Sequence, residues 1–255
     1  MKEPLLTICN LEKTYHTKTG GYPVLKKVNM KVNEGEFVAV MGPSGSGKTT
    51  LLNILSGFLS ADSGGIRLME KDLLRISKDE MAEIRQSRFG FIFQDFMLIE
   101  GLSVRENIYL PQIIAGKDNS LMEKTTELLM GKFGIDAIGD KYPDEISGGQ
   151  KQRTAIARAL CNTPLLILAD EPTGNLDSKS SAAVIDAFLT AKTELGATTL
   201  MVTHDAIAAS YADRVVALAD GQVIKELKRE TVPGQFMEEI LKFMGETGGK
   251  GHETE

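Results

Sequence analysis

The stretch Gly42-Pro43-Ser44-Gly45-Ser46-Gly47-Lys48-Thr49 decides how the rest of the chain is read. It fits G-x-x-x-x-G-K-[ST], the phosphate-binding loop known as Walker A. The preceding run, Glu36–Met41, predicts a buried strand, and the following run, Thr50–Leu55, predicts a helix. Strand, glycine loop and helix is the context in which successive backbone N–H groups turn toward one anion. The helix N-terminus adds a favourable dipole. In this reading Lys48 neutralises the β- and γ-phosphates, Thr49 offers its hydroxyl to Mg²⁺, and Thr50 extends the phosphate-facing set.

Composition bounds the alternatives. The 255 residues suit one large α/β domain or two small ones, and 42% apolar with 25% charged residues is ordinary for a globular protein. A net charge of −6 argues against a bulk electrostatic grip on nucleic acid or anionic lipid, so no nucleic-acid partner is expected. Cys9 and Cys161 have no metal-type spacing and read as small buried fillers in a reducing compartment. MKEPLLTICN lacks a signal-peptide core, and no apolar run approaches the roughly 20 residues of a membrane span.

The chain opens with two expected strands, residues 5–15 and 24–33, joined by a polar loop containing Gly20-Gly21 and Tyr22. A turn is expected over 62–65, a short strand over 66–69 and a charged helix over 78–88. Phe89–Gln94 predicts a buried strand ending in a polar residue. From about 95 to 163 helical patterns dominate, over Val104–Ile114, Ser120–Phe133 and Gly149–Cys161, which reads as a helical insertion between two strands of one sheet. Strands are expected again over 165–170 and 198–203, with a helix over 178–194 capped by Asp177. A hairpin of 214–219 and 222–227 turns at Asp220-Gly221, and an amphipathic helix covers 233–245. Residues 1–245 are expected to form one domain, and 246–255 a disordered tail.

Four apolar residues run into Asp170-Glu171, which places two carboxylates at a strand's carboxyl end. That is where α/β sheets hold ligands, so Asp170 reads as a Mg²⁺ ligand and Glu171 as the base that polarises water. Gln94 ends a strand, where its amide can ligate Mg²⁺ and orient water. His204 also ends a strand, in a position suited to the γ-phosphate or the water near Glu171. Ser147-Gly148-Gly149-Gln150 opens a helix and makes a second anion site. One triphosphate does not need two such sites from one chain, so the second serves a nucleotide held by another copy.

Together these motifs resemble the nucleotide-binding subunit of ABC transporters over about residues 5–228. The most specific part is Ile146–Gln150, similar to the LSGGQ signature with Ile in place of Leu. The resemblance implies an α/β fold: a P-loop NTPase core of mixed sheet and helices, an N-terminal antiparallel β subdomain and an inserted α-helical subdomain. It implies ATP and Mg²⁺ as cofactors and a head-to-tail dimer with each ATP between one copy's Walker A and the other's signature. In that pattern Gln94 is the Q-loop glutamine, Glu171 the catalytic glutamate, His204 the switch histidine, Asn175-Leu176-Asp177 the D-loop, and Tyr15 the aromatic that stacks on adenine. The partner implied is an integral membrane permease, at the cytoplasmic face of the membrane. Phe89–Gln94, Leu102–Ile108 and Leu110-Pro111 look closest to the bacitracin-type antimicrobial-peptide resistance transporters, which often signal through a sensor kinase. Macrolide exporters and lipoprotein-release or cell-division ATPases are the neighbouring alternatives. A soluble ABC-type ATPase would need a long coiled coil or a second ATPase unit, and a small-molecule kinase leaves Ser147–Gln150 and His204 unexplained.

Overall fold

The computed structural model describes residues 3–17 and 20–248. Two sheets share the work of positioning the loop. The first is antiparallel and contains β1 (Leu6–Thr17), β2 (Gly20–Val32), β4 (Ser63–Leu68) and β5 (Lys71–Asp72), in the order β2-β1-β4-β5. The second contains β3 (Phe37–Met41), β6 (Phe89–Ile92), β7 (Leu166–Asp170), β8 (Thr199–Thr203), β9 (Arg214–Ala219) and β10 (Gln222–Lys228). Its order is β10-β9-β3-β8-β7-β6, parallel except for the β9–β10 hairpin.

The parallel strands are apolar at nearly every position because both of their faces are covered. In β3, Phe37, Ala39 and Met41 belong to one core and Val38 and Val40 to the other. On the first side lie α3 (Val104–Ile114), α4 (Asn119–Lys132), α5 (Gly148–Leu160), α6 (Ser178–Leu195), α7 (Ala206–Ser210) and α8 (Pro233–Gly248). On the other lie α1 (Lys48–Leu55), α2 (Lys78–Ser87) and the antiparallel sheet. Along Val28–Val32 the antiparallel sheet alternates, with Val28, Met30 and Val32 buried and Asn29 and Lys31 exposed.

Between β6 and β7 the chain holds α3, α4, α5 and two 3-10 turns, and no strand among the described residues. Local chemistry sets these starts. Ser77 with Glu80, Ser103 with Glu106 and Ser147 with Gln150 each form a reciprocal capping box at the head of α2, α3 and α5. Asp177 caps α6 as expected, accepting from the Ser180 N–H at 2.9 Å.

Several expectations need correction. Ser63-Gly64-Gly65 starts β4 rather than forming a turn, because a long β1 pairs with it at Cys9↔Gly65 and Glu12↔Ser63, with a register shift between the two pairs. For the same reason Gly20-Gly21 and Tyr22 belong to β2, not to a loop. Gln94 lies two residues past the end of β6. The two-residue β5 has no sequence signal. Cys9 is exposed, not buried, whereas Cys161 is fully buried with its thiol pushed up to about 12 by burial. Helix α8 runs to Gly248, past the expected boundary at 245, and residues 249–255 of the expected tail lie outside the described residues.

Candidate functional site

The loop 42–49 bridges β3 and α1, and close packing explains its glycines. A methyl group on Gly42 would lie 2.0 Å from the Leu218 carbonyl oxygen of β9. Gly47 caps α1 at φ 102°, and a methyl group there would lie 2.7 Å from Leu25 Cδ2 and 2.9 Å from the Val24 carbonyl of β2. Gly45, at φ 79°, takes the other left-handed turn. The Lys48 ammonium is buried and donates to the carbonyls of Gly42 at 2.8 Å and Pro43 at 3.1 Å. Burial pushes its pKa below the ordinary lysine value, opposed by the charges of Glu171 and Asp170. Ser46 Oγ is buried with no hydrogen-bond partner. A buried cation beside an orphaned hydroxyl at the head of a helix is the chemistry of an anion cradle.

The carboxylates, at the end of β7, meet this cradle from across β8, which lies between β7 and β3. Thr49 Oγ1 lies 3.5 Å from Asp170 Oδ1, at the long limit of a hydrogen bond. Burial, then the charge of Glu171, pushes the Asp170 carboxyl above its usual range, with Thr49 and Lys48 opposing. Glu171 has φ 45°, in the left-handed region, and its N–H donates to the Val202 carbonyl of β8 at 2.9 Å. Its Oε2 lies 2.9 Å from His204 Nδ1 and accepts from the His204 backbone N–H at 3.2 Å. So the end of β8 fixes the carboxylate at the end of β7.

Gln94 is not drawn to Asp170. Its amide nitrogen donates to Asn175 Oδ1 at 3.0 Å, and Asn175 Nδ2 donates to Asp95 Oδ1 at 2.8 Å. Asn175 therefore ties the stretch after β6 to the stretch after β7, a link that spacing alone could not reveal. Just beyond, Phe96 (φ 61°) and Met97 (φ 50°) make two consecutive left-handed residues without glycine. Arg158 of α5 donates Nη2 to the Phe96 carbonyl at 2.8 Å and Nη1 to the Met97 carbonyl. No residue preference in the sequence marks this bend. It borders a groove of about 460 Å³, lined by Phe58, Phe91, Phe93, Met97, Leu110, Pro111 and Arg158 among others.

Ser147, Gly148, Gly149 and Gln150 lie elsewhere. Ser147 caps α5 and is exposed, with its N–H donating to Gln150 Oε1 at 2.9 Å. A methyl group on Gly149 would lie 3.0 Å from Ser180 Cβ, so the glycine lets α5 approach the head of α6. Asp177 accepts there from the Ser180 N–H and hydroxyl, which hold its carboxyl below the usual range. Among the described residues, no hydrogen bond or ion pair joins 147–150 to 42–49. Tyr15 does reach the loop: its hydroxyl is 3.5 Å from Thr50 Oγ1. Pro43 and Ser44 complete the loop, with the Pro43 carbonyl also accepting from the Ser46 N–H at 3.2 Å.

The donor set suits Mg²⁺. A threonine hydroxyl and a carboxylate with a raised pKa converge at the cradle, and both are hard oxygen ligands. No cluster of three or more acidic, histidine or cysteine side chains fit for a metal exists among the described residues. Such a site matches an ion that arrives with phosphate oxygens rather than one caged by protein.

Comparison with known proteins agrees with this geometry. The family model described as "ABC transporter" matches residues 25–174, more than half of the chain. The Bacitracin export ATP-binding protein BceA of Halalkalibacterium halodurans is 43% identical over 246 residues, 96% of this chain and 97% of that protein. The Macrolide export ATP-binding/permease protein MacB of Marinobacter nauticus is 40% identical over 92% of this chain and 36% of its own length. A dimeric ATP-binding cassette, MJ0796, solved in a post-hydrolysis state with ADP and Pi, superposes with a TM-score of 0.80 at 36% identity over 89% of this chain and 99% of that one. With Walker A, the paired carboxylates and the capped Ser147–Gln150 helix in one chain, and a family match across more than half of it, this protein belongs to the ABC transporter ATP-binding family.

Proposed function

We propose that the chain is an ATP-hydrolysing domain that dimerises head to tail around two ATP molecules and drives a separate permease. The observation that carries this is the pair of anion sites that do not face each other within one chain. Loop 42–49 has the buried lysine and the carboxylates. The head of α5 has an exposed serine cap and two glycines, and Ser147–Gln150 carry no charge. A second copy supplies the missing half of each site. The dimeric, ADP- and Pi-bound relative supports that reading.

The chain's own residues divide the work as follows. Lys48 leaves the Gly42 and Pro43 carbonyls for the β- and γ-phosphates of the arriving nucleotide, while the loop N–H groups and Thr50 hold the same oxygens. Thr49 and Asp170 would hold Mg²⁺, which would neutralise phosphate charge, and Gln94, whose amide nitrogen donates to Asn175, would offer its amide oxygen. Glu171, steadied by His204, takes a proton from the attacking water as the bond from the γ-phosphorus to its bridging oxygen breaks and ADP leaves. Ser147–Gln150 of the second copy close over the γ-phosphate, Asp177 lines the joint, and Tyr15 stacks on adenine. The apolar groove beside Met97 receives the permease. MacB, named as an ATP-binding/permease protein, carries both functions in one chain and supports a permease partner here. No described helix is long and apolar enough to cross a membrane. In this reading the permease carries the domain at the cytoplasmic face of the membrane. Similarity to the bacitracin export protein BceA along almost the full length favours antimicrobial-peptide resistance over the lipoprotein-release or cell-division alternatives.

Glu171→Gln tests the proposal. The variant should bind ATP, lose turnover by roughly 10²-fold or more as expected for a missing general base, and accumulate as a dimer on size-exclusion chromatography with ATP. Wild-type turnover refutes the role of Glu171. A variant that stays monomeric with ATP and its permease present refutes the sandwich.

A further inference from the structure

We propose that Tyr22 is a second contact surface for the nucleobase, so that the base rests on a face made by two tyrosines from opposite strands. This rests on the nucleotide reading above. Tyr22 is the direct cross-strand partner of Tyr15 in the β1–β2 ladder. Directly opposed residues of an antiparallel pair project from the same side of the sheet with Cβ atoms about 4.5–5.5 Å apart. Both rings line one cavity of about 310 Å³ whose floor is Gly45, Gly47, Lys48, Thr49 and Thr50. One end of that cavity is therefore the phosphate loop and the other is aromatic.

The state of each ring supports the assignment. Tyr15 is 41% exposed and is already engaged, with its hydroxyl near Thr50 and Lys13 Nζ 6.0 Å from its ring centroid. Tyr22 is 62% exposed, and its side chain has no hydrogen bond, ion pair or ring contact among the described residues. Yet its backbone is fixed, because the ladder pairs Tyr22 itself and Pro23 follows it. Val24, two residues on, lines the same cavity and packs against Gly47 of the loop, where a methyl group would lie 3.3 Å from Val24 Cγ1. A rigidly mounted aromatic with an unengaged ring loses little rotamer freedom when a flat ligand covers it.

The test separates the base from the phosphates. Binding of ATP, CTP and inorganic tripolyphosphate is measured by calorimetry for full-length wild type, Tyr22→Ala and Tyr22→Phe. Aromatic–base contact is worth about 1–3 kcal/mol, so a partial contact predicts roughly 5- to 30-fold weaker ATP binding by Tyr22→Ala. Tripolyphosphate binding should be unchanged, Tyr22→Phe should bind ATP within about twofold of wild type, and the preference for ATP over CTP should narrow in Tyr22→Ala. The inference is overturned if Tyr22→Ala binds ATP like wild type, or weakens ATP and tripolyphosphate alike. Wild type that binds neither ligand overturns the nucleotide reading itself, an outcome distinct from a wild type that binds both and a Tyr22→Ala variant that does not differ from it.

Discussion

Arg158→Met removes the clamp on the bend after β6. A left-handed residue other than glycine costs about 1–2 kcal/mol, so Phe96 and Met97 together hold about 2–4 kcal/mol. Arg158 opposes this with two hydrogen bonds from a charged donor, each worth about 1.5–3 kcal/mol, or about 3–6 kcal/mol in all. Methionine keeps most of the length without the charge. If the bend relaxes when unclamped, the net loss is about 1–2 kcal/mol. It falls at the low end because burial, which pushes the Arg158 pKa down, disfavours the charge that is removed. A second substitution isolates the strain. Met97 is 57% exposed, so Met97→Gly sacrifices little packing. In wild type it relieves about 1–2 kcal/mol and costs about 0.5–1 kcal/mol in chain entropy, which leaves a neutral or slightly stabilised protein. In the Arg158→Met background no strain remains, and only the entropic cost is felt. Urea denaturation of the four proteins should therefore give a coupling of about 1–2 kcal/mol. Additivity within about 0.5 kcal/mol would mean that Arg158 does not hold the bend.

Two further outcomes follow from the packing and the charges. Asp170 is more protonated in the folded than in the unfolded state, because burial and Glu171 raise its pKa. Its contribution to stability is thus full below the ordinary carboxylate range and is lost as pH rises through that range toward the folded pKa. Asp170→Asn should raise the Tm of the nucleotide-free protein at pH 7 and abolish turnover, and the gain should shrink as pH is lowered; a Tm shift independent of pH would contradict the assignment. Phe236 of α8 is fully buried in the core that contains Ala208, Ala209 and Ala212 around α7, so Phe236→Ala should cost about 3–5 kcal/mol in urea denaturation. A loss under about 1 kcal/mol would show that α8 is only loosely attached.

The sequence exposed those parts of the fold whose local chemistry and tertiary fate agree. Apolar runs gave the parallel strands because both faces are buried, and the serine boxes at Ser103 and Ser147 set α3 and α5 where periodicity alone would leave a margin. Glycine density misled at 63–65, where pairing with a long β1 overrode turn preference. The phosphate loop, the carboxylates and His204 were legible because each ends or follows a recognisable strand. Asn175 and Arg158 were not, since their partners Gln94, Phe96 and Met97 lie 81, 62 and 61 residues away. Contacts at such separation leave no periodic trace. Tyr22 was visible as a residue, but its meaning depended on the register that sets it opposite Tyr15.

The strand order also dictates when a growing chain can acquire its phosphate site. Among the described residues, the strand that launches the loop, β3, is paired only with β8 and β9. Val38 must wait for Leu200 on one side and Arg214 on the other. Until residues 199–219 have left the ribosome, Phe37–Met41 is an apolar segment with two open edges, and Gly42 has no Leu218 carbonyl to rest against. Nascent chains stalled before residue 199 therefore cannot be rescued by nucleotide, and they expose the segment most in need of chaperone cover. Ligand-assisted folding begins only after β8 and β9 have been made.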